Sequence, residues 1–182
     1  MKKRITAVSL CALFLMLAAS AFAARPAKYN AQELIRSRSA IVWIGGRRVA
    51  DLMVGADAKL QFQFIDKTLS RAIYSEASNF PDALVWNAGY IDKAAKGKCN
   101  LVLLIYRAVT RWTFDPSKIT VNGQPIPKNR IYTSLLSKQT GSLAMDTQDV
   151  IAFGVPRSES KPGSVITFGY GEYTAEFTVP EK

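Results

Sequence analysis

Leu101 to Ile105 are five consecutive aliphatic residues, and Tyr106 extends the run. In a strand, successive side chains point to opposite faces. A strand apolar at every position is therefore expected to be covered on both faces. The run is short and Gly97 precedes it. β-favouring Val109, Thr110, Trp112, Thr113 and Phe114 continue it. These features read as strand rather than as buried helix. Cys99 has the parity of Leu101, Leu103 and Ile105, which makes it an expected inert core thiol.

A turn-rich ribbon follows. Asp115-Pro116-Ser117 is a turn signal, because Pro presets φ and Asp bonds its own backbone. Ile119 to Val121 reads as a short strand. Asn122-Gly123 is the strongest two-residue hairpin signal, since a type I′ turn needs positive φ at both positions. The return, Gln124 to Pro127, carries two prolines and belongs at an edge. The stretch AAKGKCNLVLLIYRAVTRWTFDPSKITVNGQPI resembles the middle of the short immunoglobulin-like sandwich domains of bacterial exported proteins of unknown function. The likeness lies in the KGK lead-in, the apolar strand, the F-D-P-S corner and the N-G turn. It implies a β-sandwich over 83–182 and transfers no catalytic residue. The paired cysteines of antibody-type domains are missing.

Upstream, Asn30 and Glu33 resemble a capping box opening a short helix from Ala31 to Arg38. Ile41 to Ile44 reads as a strand, Gly45-Gly46 as a two-residue turn, and Arg47 to Val54 as the returning arm. Lys59 to Ile65 alternates, placing Leu60, Phe62 and Phe64 on one face. Asp66 caps the helix that follows. Its stripe of Ile65, Leu69, Ala72, Ile73, Ala77 and Phe80 predicts one core-facing amphipathic helix ending before Pro81. Ala83 to Trp86 reads as another strand, and Asn87 to Lys98 as a loop or a short turn of helix. Downstream, Ile131 to Leu136 and Val150 to Val155 read as strands. Ser164 to Phe168 and Glu172 to Val179 form a last hairpin around Gly169-Tyr170-Gly171. Turns spaced in this way favour a mainly β fold. The expectation is an antiparallel immunoglobulin-like sandwich with an N-terminal hairpin and one amphipathic helix, an α+β arrangement being the alternative.

Met1 to Arg4 is a basic n-region, Ile5 to Ala18 is mostly apolar, and Ala21-Phe22-Ala23 fits a small-x-small cleavage site. Residues 1–23 are thus expected to be a signal peptide, and 24–182 one exported domain, periplasmic or secreted, with no transmembrane segment after cleavage. That domain divides into a hairpin and helix part, 24–82, and a sandwich part, 83–182. Leu10 before Cys11 is not small, which argues against a lipid-anchor site. The chain carries a net charge of +10. Loss of Lys2, Lys3 and Arg4 with the leader would leave +7. Exposed cations favour anionic lipid headgroups, polymers or acidic proteins.

The chain has no histidine. That removes the commonest general base, the usual zinc ligand and the Ser-His-Asp triad. One cysteine after cleavage builds neither a thiolate metal site nor a redox pair. No phosphate-loop or dinucleotide fingerprint is present. Asp146 and Asp149 are the nearest candidates for carboxylate chemistry, but they read better as a solvated loop before a strand. Arginine beside aromatic rings marks the candidate binding surfaces: Trp43 with Arg47 and Arg48, then Arg107 with Arg111 and Trp112. Arg157 opens the polar loop to Gly163, and end loops on a rigid scaffold often carry binding. The reading is an exported, non-catalytic binding or assembly module with no cofactor, no metal and no nucleic-acid partner. An envelope protein or an anionic surface polymer is its expected partner. A carboxylate-based envelope hydrolase and a loop-inserting enzyme inhibitor are the alternatives.

Overall fold

A computed structural model describes residues 28–181. The leader and cleavage site expected over residues 1–23 lie outside the described residues. The fold is mainly β, with antiparallel open sheets and a layer of short helices.

The main sheet has four strands in the order β1, β2, β3, β8. These span Ser39–Val49, Leu52–Ile65, Cys99–Ala108 and Gln148–Pro156. The N-terminal hairpin therefore joins the main sheet, because β2 pairs β1 on one side and β3 on the other. The strand expected to be covered on both faces is β3, and it is. Val102, Leu104 and Tyr106 face a second sheet, whereas Leu101 and Leu103 face the helices. Period-two alternation along β3 thus feeds two separate cores.

The second sheet runs β10, β9, β5, β6. Its strands are Tyr173–Thr178, Val165–Tyr170, Ile119–Val121 and Gln124–Pro125. Asn122 and Gly123 both have positive φ, as the hairpin between β5 and β6 requires. Gln124–Pro125 ends the sheet as its edge. The two sheets share one core, where the rings of Phe62 and Phe168 stack at 4.7 Å and Phe64 meets Phe177 at 5.3 Å. A small pair, β4 (Trp112–Phe114) and β7 (Gly141–Leu143), brings Phe114 into the same core.

The opposite face of the main sheet is covered by α1 (Ala31–Arg36), α2 (Lys67–Ser75), α3 (Asp82–Val85) and α4 (Tyr90–Lys96). Asn30 caps α1 and Asp66 caps α2, each accepting from the backbone three residues on. The stripe on α2 buries Leu69, Ala72 and Ile73. Ile65 closes β2 rather than opening the helix, and a 3-10 turn at Ala77–Asn79 leads to buried Phe80.

Several expected elements differ. Ala83 to Trp86 lies in helix α3 and its end. Pro81 begins it with a preset φ, Asp82 sits in its first turn, and only Leu84 is buried. Trp86 is 78% exposed, which a sheet interior would not allow. The loop after it contains α4. Gly45-Gly46 is no turn, for β1 runs through it. The register slips from Ile44↔Ala58 to Gly45↔Ala56, a bulge. A Cβ on Gly46 would lie 2.8 Å from the Val54 carbonyl oxygen, so only glycine fits there. The hairpin turns instead at Ala50-Asp51. Of Ile131 to Leu136, only Ile131 bridges to the sheet, at Phe153. The tract from Val109 to Phe114 does not continue β3, and the last hairpin turns at Gly171-Glu172.

Phe62 is fully buried between the sheets. Phe62→Ala is expected to cost about 3–5 kcal/mol. Ile41→Ala, at a side chain 42% exposed, is expected to cost under about 1 kcal/mol. Chemical denaturation of both variants checks the pair.

Candidate binding cleft

The cleft forms where β2 ends and β3 begins. Asp66 leaves β2 in extended geometry and caps α2, accepting a hydrogen bond from Leu69 N–H at 2.8 Å. Its other oxygen pairs with Arg38 at 2.9 Å. Arg38 is only 4% exposed, and this ion pair joins the start of β1 to the start of α2. With Asp66 so engaged, the next polar residues face solvent. Lys67 and Arg71 stand four apart on α2, hence on one helix face. The positive end of the α2 dipole lies beside them.

The loop after β8 supplies the other wall. Ser160 is buried. It accepts from Asn100 Nδ2 at 2.9 Å and donates to the Pro156 carbonyl at 2.8 Å. Gly163 N–H donates to the Val179 carbonyl at 2.9 Å. These ties pin the loop at its middle and its end, and they hold Arg157 and Lys161 outward. Together the walls enclose a cavity of about 590 Å³ lined by Lys67, Arg71, Arg157 and Lys161, with Phe64, Pro162, Val179 and Pro180 as its apolar part. A second cavity, of about 470 Å³, shares Asp66, Lys67, Asn100 and Arg157 and reaches Ser70 and Ile91. Glu181 is the one further acid on the larger cavity. Among the described residues, no ion pair engages any of the four cations. Cations left without a carboxylate partner in a concave site are suited to an anion bearing several oxygens.

Of the residues singled out in the sequence, Arg157 lies in this cleft. Trp43 and Arg107 come together elsewhere, on a cavity of about 370 Å³ at the Lys59 end of β2. There Lys59 Nζ sits 5.7 Å over the Trp43 ring, and Arg107 pairs with Asp146 at 2.6 Å. Arg47 and Arg48 are exposed on β1 beyond the bulge. Arg111 is exposed in the turn after β3. Trp112 packs its ring 5.2 Å from Tyr170 and 5.4 Å from Phe114, so it closes the core rather than offering a free platform. Lys161 lies in the loop marked in the sequence, whereas Lys67, Arg71 and Asn100 escaped sequence reading. Their signal was the capped helix start at Asp66 with cations at the first and fifth helical positions, opposite the apolar stripe.

The carboxylates are committed to the framework. Asp146 holds Arg107. Asp149 accepts from Lys138 Nζ at 2.9 Å, from Gln139 N–H at 3.0 Å and from Val150 N–H at 2.7 Å. Burial pushes its carboxyl up, but Lys138 and the two N–H groups outweigh this and hold it below the ordinary carboxylate range. Tyr106 donates to the Gln139 carbonyl at 2.7 Å, and burial together with nearby Asp149 raises its hydroxyl. Asp115 accepts from the Ser117 N–H and hydroxyl, the turn role read from the sequence. Cys99 is 5% exposed, with its thiol on the Gly97 carbonyl at 3.3 Å. Tyr132, beside it, is pushed up to about 12 by burial and then by the neighbouring thiol.

No protein-family model, curated protein or solved structure matches the chain. Among the described residues, no helix is long and apolar enough to cross a membrane, and no group of three or more His, Cys, Asp or Glu is placed to hold a metal ion.

Asp149 has a folded pKa below its ordinary value of 3.8. Its contribution is therefore complete above the unfolded pKa and is lost as pH falls through the folded one. Denaturant midpoints measured from pH 6 down to pH 2 are expected to fall across that acid window. Asp149→Asn is expected to lower stability at pH 6 and to flatten the acid limb.

Proposed function

We propose that the protein is an exported, non-catalytic binding or assembly module whose cationic cleft holds an anionic component of the bacterial envelope. One observation carries this reading. Lys67, Arg71, Arg157 and Lys161 converge on one cavity from two separate elements, without carboxylate partners in the described structure. A randomly basic surface scatters its charge, whereas here it is gathered around a concave site with Asn100 and Thr68 as further polar lining. The loop from Arg157 to Gly163 is tied to Asn100, Pro156 and Val179, and for that reason it is read as a wall of the site rather than as an inserting inhibitor. The export part of the proposal rests on the leader-like N-terminus. The immunoglobulin-like class rests on two antiparallel sheets facing across one core, with the Asp115-Pro116-Ser117 corner between β4 and β5.

The test is binding of the chain to polyphosphate and to dextran sulfate, with neutral dextran as control, over a salt series. The wild type is expected to bind both polyanions and to weaken as salt rises. Arg71→Gln with Arg157→Gln is expected to lose at least about tenfold in affinity, since each charge-assisted hydrogen bond contributes about 1.5–3 kcal/mol. Arg111→Gln with Lys118→Gln removes the same charge outside the cleft and is expected to change affinity less than about threefold, a surface-scale effect. Equal losses in the two double variants would mean that net charge alone binds polyanions, and the cleft assignment would be withdrawn.

A further inference from the structure

β1 and β2 continue past the sheet. The last β2 residue paired with β3 is Ala58, opposite Ala108. Beyond it, Arg47↔Val54, Arg48↔Met53 and Val49↔Leu52 pair only with each other. The result is a two-stranded arm that continues past the paired sheet from the bulge at Gly45-Gly46, with Met53 on a cavity shared with Val109, Thr110 and Asp146. Facing partners in an antiparallel pair share a side, and so do residues two apart. Val49, Leu52 and Val54 therefore share one side of the arm with Arg47, and Arg48 and Met53 share the other. The three aliphatic side chains are exposed by 49%, 70% and 48%. Elsewhere the strands expose Ile41 and Val165, but on the arm three aliphatic side chains cluster on one face, and such a cluster marks an interaction surface.

We propose that this face rests on an anionic lipid surface, with Val49, Leu52 and Val54 entering the headgroup boundary and Arg47, on the same side, meeting lipid phosphates. Charge and size favour lipid over protein. Arg47 complements an anionic headgroup layer, and a long cationic side chain can lay its stem on apolar surface while its head stays in the polar zone. A stable protein interface buries about 800 Å² on each partner. A ribbon face two strands wide with three aliphatic side chains falls well below that. Interfacial lipid binding needs only a narrow apolar face beside basic residues.

The experiment places an environment-sensitive fluorophore on the arm in the full chain, so that the readout is local to it. Cys11→Ser and Cys99→Ser remove the native thiols, and Val54→Cys or Arg48→Cys carries the dye. The probes are phosphatidylglycerol vesicles and phosphatidylcholine vesicles, each with and without brominated acyl chains. With phosphatidylglycerol, the dye at position 54 is expected to shift blue and to be quenched by bromine, and the dye at position 48 to respond much less. Val49→Ser with Leu52→Ser is expected to lower the response at position 54 at least about tenfold, from the apolar area lost, while polyphosphate binding in the cleft is unchanged. Circular dichroism and the thermal midpoint check that each variant is folded. No response at position 54 on phosphatidylglycerol overturns the proposal. So does an equal response at positions 54 and 48, or one that follows protein concentration without lipid, which would assign the face to a second copy of the chain.

Discussion

The structure depends on the double cover of β3. Its odd residues Leu101 and Leu103 pack on helices, and its even residues Val102, Leu104 and Tyr106 pack on the second sheet. Neither cover is dispensable, because a strand apolar on both faces loses about as much from exposing one as from exposing the other. β2 and β8 flank β3 and inherit the constraint in graded form. Phe62 and Phe64 meet the second sheet, whereas Gln63 on the helix side is fully buried and satisfied by the carbonyls of Ile35 and Arg38. The polar residue is tolerated because its amide has partners. Those partners also fix where α1 ends and β1 begins.

The same junction explains the location of the cleft. Arg38 and Asp66 pair across the start of β1 and the start of α2. A buried ion pair of this kind adds little net stability, yet it is costly to break from one side only. Here it also consumes the one acid at the mouth of the helix. Both oxygens of Asp66 are turned to Leu69 N–H and Arg38 rather than to Lys67 or Arg71. The cap, the ion pair and the uncompensated cations are therefore three aspects of one arrangement.

What was legible in the sequence follows from how local each signal is. The strands with clear period or full apolarity, β2, β3, β8 and β10, could be read because burial itself writes the pattern. The Asn122-Gly123 turn and the caps at Asn30 and Asp66 could be read because their chemistry is confined to a few residues. Ala83 to Trp86 could not, since a four-residue apolar run is equally compatible with strand and helix. Pro81 and the exposure of Trp86 decide it only in three dimensions. Gly45-Gly46 suits a turn as well as a bulge, and the choice rests on Ala56 and Val54 across the pair. The cleft was half legible. The Arg157 loop was marked by its polarity, but its partners on α2 lie about 90 residues earlier in the chain, and only the antiparallel register of β2 with β3 and β3 with β8 brings them together.

Arginine beside an aromatic residue in the sequence is a poor guide to which side chains gather in space, and the reason is physical. Arg111 stays exposed in the turn after β3, whereas Trp112 opens β4 and lays its ring against Phe114 and Tyr170, so the two separate on folding. Arg107 finds Asp146, and Lys59 rather than an arginine covers Trp43. Contiguity along a strand disperses side chains, whereas helical spacing of four gathers them, as Lys67 and Arg71 show. The arm obeys the same rule with period two. Val49, Leu52 and Val54 collect on one side only because the turn at Ala50-Asp51 brings two strands into register. The cleft and the arm thus gather their chemistry by different periodicities, at different ends of β2, one through a pinned loop and a capped helix and the other through a ribbon free of the sheet. The two surfaces are separate in the fold, so the proposed anion contact in the cleft and the proposed lipid contact on the arm would not obstruct one another.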